Sequence, residues 1–203
     1  MKAMLIDENR NLVWSDVENP TVGPRDVLIE IHAAALNRAD LLQRQGKYPS
    51  PKGCPPWMGL EVAGIVCETG AEVTRWRTGD RVCALLGGGG YAEYVAVDEG
   101  MVMPVPGGLS FEEAASLPEA YATCYLTLFR EGGYRPGETL FFPAGASGLA
   151  SVGIPMAKAF GAYVITSVLT DEIAEKIAPL RADRVIVSSR EDTAEVIRVE
   201  AEN

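Results

Sequence analysis

Short apolar runs, each closed by a glycine, proline or Asx turn, fill the first half of the chain. MKAMLI, LVWSDV, DVLIEIHAAAL, EVAGIVCETG, DRVCALL and YAEYVAVDE are rich in Val, Ile, Leu and Tyr, and NP, VGPRD, TGD and the glycine run at residues 87–90 separate them. Runs of this length at this spacing predict a β-barrel or sandwich. One helix interrupts them, NRADLLQRQG, with Asn37 as N-cap and Asp40 in its first turn.

At Ser110 the period changes. Ser110 and Glu113 fit a capping box, Pro118 ends the helix they open, and PEAYATCYLTLFRE continues as another. The apolar runs TLFFPA, AYVITSV and DRVIVSS then alternate with helical stretches, among them TDEIAEKIA and DTAEVIRVEAEN. That alternation predicts a parallel, doubly wound sheet. The change falls at residues 110–125, and we divide the chain into 1–120 and 121–203. Three strand–helix units make one mononucleotide-binding half, whereas a dinucleotide fold uses two. An open sheet edge near the centre follows, which parallel sheets rarely leave uncovered.

Composition narrows the function. With 203 residues, 47% hydrophobic and 23% charged, the chain reads as a soluble globular protein of one or two domains. A net charge of −10 argues against non-specific nucleic-acid binding. No run of about 18 apolar residues marks a membrane span, and MKAMLIDENRN lacks the apolar core of a signal peptide. We expect a cytoplasmic protein with no membrane partner. Cys54, Cys67, Cys83 and Cys124 are widely spaced without a CxxC pair, so reduced and mostly buried thiols are expected. His32, in a strand-like run, reads as structural.

The stretch TLFFPAGASGLASVGIPMAKAFGA, residues 139–162, reads as strand, turn and helix. Gly145, Ser147 and Ala150 hold the three glycine positions of GxGxxG, which serve the tight turn, the approach of backbone to a pyrophosphate, and helix–strand packing. Alone, the motif is equally compatible with a βαβ unit that binds nothing. Pro155 lies within the helix, where proline removes a hydrogen bond and costs roughly 3 kcal/mol or more. A kink is the expected accommodation.

NRADLLQRQGKYPSPKG, GLEVAGIV, TGDRV, GGGGYAEYV, PEAYATCYLTL and PAGASG follow one another in this order. Together they resemble the zinc-free quinone oxidoreductase branch of the medium-chain dehydrogenase/reductase superfamily, over essentially the whole chain. The resemblance implies a GroES-like β-barrel domain (1–120) followed by the first half of a Rossmann domain (121–203). It also implies NADPH in the cleft between them, hydride transfer to quinones or electron-poor alkenes, and a homodimer. Where zinc-dependent relatives carry GHE and a ligating cysteine, this chain has Gly59-Leu60-Glu61 and Asn37, so no metal is expected. By the resemblance, Asn37 and Tyr48 are the catalytic candidates lining the nicotinamide and substrate cleft. Thr123 would touch the nicotinamide side, Gly145, Ala146, Ser147 and Gly148 the pyrophosphate, and Thr170 the adenosine end. Each also has a structural reading: Asn37 as a helix cap, Tyr48 packed on loop prolines, Thr123 as a neutral helix residue, Ser147 in a turn. A substrate contact by Tyr91 or Tyr94 is the weakest candidate.

The chain departs from the family after the second Rossmann strand, where a pattern like AGSxxK surrounds the adenosine 2′-phosphate. VLTDEI here gives Thr170 and, for the lysine, Ile173, while Ser188 replaces a tyrosine. Ile173 offers no charge-assisted donor, and Asp171 and Glu172 repel a phosphate. NADPH is the family cofactor. NADH is the alternative, with Asp171 accepting from the ribose hydroxyls. Arg181 stands where a glycine in left-handed geometry commonly follows the helix. The family runs on well beyond residue 203. We therefore expect a quinone oxidoreductase-like protein with weak or absent activity in this form. The alternatives are a non-catalytic binding or assembly protein, whose half-sheet pairs with a second copy or another chain, and an enzyme lacking its remaining residues.

Overall fold

Two antiparallel strands, β1 (Lys2–Ile6) and β2 (Leu12–Asp16), open the chain. A computed structural model describes residues 1–201, and they divide into two units, Met1–Glu119 and a second that begins at Ala120. The first unit continues through β3 (Asp26–Ala34), α1 (Arg38–Arg44), β4 (Glu61–Thr69), β5 (Arg81–Leu85), β6 (Tyr94–Asp98), β7 (Val102–Pro104) and α2 (Phe111–Ala115). Its larger sheet is antiparallel in the order β6-β3-β4-β5-β7.

Strand alternation assigns the faces. Val27 and Ile29, Val62 and Val66, and Val82 and Ala84 point to one side and form a core with Leu86, Val95 and Val102. Each fully buried Val or Ile contributes roughly 1.5–3 kcal/mol. Ala63 and Cys83, paired across β4 and β5, face the other way and pack under Ala114 and Ala115 of α2. Register shifts between Leu28 and Ile29 and between Ile31 and Ala33 curl the sheet. The expected capping box closes on α2: Glu113 N–H donates to Ser110 Oγ at 3.2 Å, and Ser110 N–H to Glu113 Oε2 at 2.8 Å. His32 stacks against Phe111, ring centroids 4.6 Å apart. Only Cys83 and Cys124 are buried; Cys54 and Cys67 are partly exposed, which corrects the expectation that most are buried.

Helix α3 (Pro118–Tyr125) does not run on as one α-helix through LTLFRE. Leu126–Glu131 widens to π geometry, with Gly132 N–H reaching Thr127 O. Thr127 Oγ1 donates to the carbonyls of Thr123 and Cys124, competing for the acceptors of the α ladder.

The second unit is built on β8 (Thr139–Phe142), β9 (Tyr163–Val168) and β10 (Arg184–Val187), parallel in the order β10-β9-β8. The connecting helices are α4 (Gly148–Ala159) and α5 (Asp171–Ile177), and α6 (Thr193–Ala201) follows β10. Glu202 and Asn203, the end of the predicted last helix, lie outside the described residues. Ala150, Ile154 and Ala157 form one stripe of α4 and pack with Val164, Leu140 and Phe142. Pro155 sits on the exposed side of α4, so the hydrogen bond it removes is a solvent-side one and the helix runs through it. Arg181 adopts the left-handed conformation itself, at φ 64°.

Candidate functional site

The N-terminus of α1 gathers a buried polar cluster. Asn37 is extended at the N-cap, and Asp40, 5% exposed, accepts the Asn37 N–H at 2.7 Å. The same Asp40 Oδ2 accepts from Tyr91 Oη at 2.8 Å, while Oδ1 accepts Gly59 N–H at 3.2 Å. Gly59 has φ 105°, and a Cβ there would stand 2.5 Å from Tyr91 N, so only glycine allows this approach. Burial, followed by the Asp40 hydrogen bond, raises the Tyr91 phenol pKa. Tyr91 is thus held as a neutral donor within the first unit.

Glu61, 3% exposed, completes the cluster. Its Oε1 accepts Asn37 Nδ2 at 2.9 Å, and its Oε2 accepts Glu119 N–H at 2.9 Å. Leu117 and Pro118 offer the start of α3 no side-chain cap, and Glu61 supplies one from another strand. Burial raises the Glu61 carboxyl pKa against the pull of these two donors. Asn37 and Glu61 are thus joined directly by a hydrogen bond. Among the described residues no group of three or more His, Cys, Asp or Glu side chains could hold a metal ion.

Tyr48 lies beyond the other end of α1. It is half-exposed and borders a cavity of about 470 Å³ with Gln43, Ser50, Pro51 and Cys54. Gln43 Nε2 pins this loop by donating to Ser50 Oγ at 2.9 Å and Pro56 O at 3.0 Å. Asn37 and Tyr48 are therefore separated by the length of α1.

In the second unit the turn after β8 carries the phosphate-binding pattern. Gly145 N–H donates to Ser167 O at 2.8 Å, and a Cβ on Gly145 would stand 2.4 Å from Thr166 Oγ1. Thr166 is fully buried and fixed to Phe142 O, so no side chain fits at 145. Ala144 before it takes a left-handed φ of 55°, a strain of about 1–3 kcal/mol for a non-glycine residue. Ser147 caps α4, accepting Ala150 N–H at 3.2 Å. Ala146, Ser147 and Gly148 are exposed, and the N–H groups of Ala146, Gly148 and Leu149 have no acceptor among the described residues. Backbone donors at the N-terminus of a twelve-residue helix form an anion seat. Ala150, in place of the third glycine, directs its methyl into the core.

The remaining candidates are dispersed. Thr170 caps α5, accepting Ile173 N–H at 3.4 Å. Thr123 is half-buried in α3, its carbonyl taken by Thr127. Beside Thr170, Asp171 pairs with Arg190 at 2.8 Å, an arginine the sequence reading did not single out. Its signal was the SSRED turn directly after the third apolar run.

The family model of the alcohol dehydrogenase GroES-like domain matches residues 23–107. Quinone oxidoreductase-like protein 2 of Bos taurus is 36% identical over 154 residues, 75% of this chain and 44% of its own. The crystal structure of Pseudomonas syringae quinone oxidoreductase superposes with a TM-score of 0.83 at 32% identity, covering 98% of this chain and 62% of that one. Escherichia coli quinone oxidoreductase complexed with NADPH superposes with a TM-score of 0.82 at 27% identity, covering 99% and 62%. The chain spans about half the length of the curated relatives it matches. Both units, with their GroES-like curled sheet and parallel half-sheet, have counterparts in these structures. The chain belongs to the medium-chain dehydrogenase/reductase superfamily, in its quinone oxidoreductase-like branch.

Proposed function

We propose that this chain acts as a nicotinamide-dependent oxidoreductase on quinones or electron-poor alkenes. The observation that carries the reading is the trio of outward N–H groups at Ala146, Gly148 and Leu149, beside a residue 145 where only glycine fits. The reported NADPH complex of a structural neighbour supports it. When bound, the nicotinamide supplies the hydride chemistry, so the protein has chiefly to position and exclude. The turn at residues 145–148 receives the pyrophosphate, with the Ser147 hydroxyl as a further donor, and Thr170 borders the adenosine end. Thr123 borders the nicotinamide. Asn37, held by Glu61, and Tyr48 line the substrate side. A metal-free, cytoplasmic homodimer belongs to the same proposal. So does weak turnover by this chain alone, because its described residues form one mononucleotide half of the sheet.

The test is quinone-dependent oxidation of NADPH and of NADH, followed by absorbance, with Gly145→Val as control. Slow turnover that Gly145→Val abolishes supports the reading; turnover equal in both proteins contradicts it. A second reading is favoured by β8, whose outer edge pairs with no strand among the described residues and whose Phe141 is 36% exposed. There the half-sheet binds a second copy or another polypeptide, and activity is secondary. Light scattering that finds a stably folded monomer at all concentrations contradicts that reading.

A further inference from the structure

We infer that Arg190 reads the 2′ position of the adenosine ribose and gives the site a preference for the phosphorylated cofactor. The inference rests on the nicotinamide reading above and adds to it the side chain that determines specificity.

β9 and β10 are adjacent and parallel, so the residues that follow them emerge at the same end of the sheet as the turn after β8. Ser188 ties the two strand ends together, donating to Val168 O from its N–H at 2.9 Å and from its Oγ at 3.0 Å. Arg190 N–H returns to Val187 O at 3.0 Å, and Glu191 accepts both Val187 N–H and the Arg184 guanidinium. The backbone of this turn is therefore fixed, while the Arg190 guanidinium extends over the start of α5 to Asp171 Oδ1 at 2.8 Å.

In doubly wound sheets the adenosine ribose lies outside the carboxyl ends of the strands. An acid there accepts from a 2′-hydroxyl, and a nearby arginine accommodates a 2′-phosphate. This chain has both groups, paired with each other. The pair is exposed, at 62% for Arg190 and 67% for Asp171, and exposed pairs hold weakly. A phosphate with nearly two negative charges accepts the guanidinium fork through two charge-assisted bonds. Glu172 is occupied by Lys176 at 2.7 Å. Asp171, freed beside the phosphate, opposes it, so the preference is moderate and weakens with salt. Arg190 thus supplies from the third strand the charge that Ile173 lacks after the second.

Calorimetric titration of the purified chain with 2′,5′-ADP and with 5′-AMP tests this without any turnover. The wild type is expected to bind 2′,5′-ADP about tenfold more tightly. Arg190→Ala should remove that difference by weakening 2′,5′-ADP alone, and Asp171→Asn should enlarge it. Both positions are exposed, and a circular dichroism melt verifies that the variants fold. Wild-type parity overturns the assignment, as does an Arg190→Ala variant that keeps the preference or weakens both ligands equally. If NADPH and NADH bind while the fragment ratios fail, Arg190 is not the reader and the nicotinamide reading survives. If neither dinucleotide nor fragment binds, both are overturned.

Discussion

The carboxamide nitrogen of Asn37 donates to the Glu61 carboxylate across 2.9 Å. A residue that the resemblance places at the nicotinamide and substrate cleft is therefore held by a buried acid from β4. That acid also accepts Glu119 N–H at the start of α3. One carboxylate thus secures the first turns of two helices.

Removing that acceptor should cost stability. Glu61→Ala removes the acceptor of the Asn37 amide and of Glu119 N–H, and at about 1–3 kcal/mol for each bond lost the total is roughly 2–6 kcal/mol. Urea unfolding measures it. Glu61→Gln keeps one acceptor and should cost less.

The same group predicts a pH dependence. Burial raises the folded-state carboxyl of Glu61 above its ordinary value of 4.5, so the native state binds this proton more tightly than the unfolded chain. The Glu61 contribution is fully present below pH 4.5 and is lost as pH rises through the folded pKa. The difference in unfolding free energy between wild type and Glu61→Gln should therefore move against the wild type as pH rises across that window.

Asp40 accepts three hydrogen bonds, from Asn37, Gly59 and Tyr91. Tyr91→Phe removes one donor and should destabilise by about 1–2 kcal/mol. Asp40→Ala removes the acceptor of the Asn37 and Gly59 N–H groups and leaves Tyr91 Oη only the Ala35 carbonyl at 3.3 Å, and should cost roughly 3–5 kcal/mol. Thermal melts of the two variants should rank in that order.

The glycine-pattern positions after β8 should separate binding from packing. Gly145→Ala forces a methyl against Thr166 Oγ1, 2.4 Å away, costing about 1–3 kcal/mol by overpacking and weakening nucleotide binding. Ala150→Gly removes a buried methyl within a helix, costs about 1 kcal/mol, and should leave nucleotide binding unchanged.

Most of the fold was legible because its signals are local. Alternating Val and Ile marked β3 to β6, and the Ser110–Glu113 box and the turn after β8 carried their own chemistry. β7 was missed because three residues ending in Pro104 form too short a run to show a period. The π turn was missed because Thr127 recruits its carbonyls through a side chain that propensity counts as neutral. The Asp40 cluster joins residues from separate strands and loops, and spacing along the chain cannot report such meetings. Arg190 reaches Asp171 only because β9 and β10 lie side by side in parallel register, a relation absent from either segment alone.

The most direct test is a fluorescence titration of the purified chain with NADPH and NADH, repeated with Gly145→Val. The wild type should bind saturably in the micromolar range, and the variant should lose that binding while its fold is retained. No binding by a folded wild-type chain, or equal binding by Gly145→Val, would contradict the nicotinamide reading.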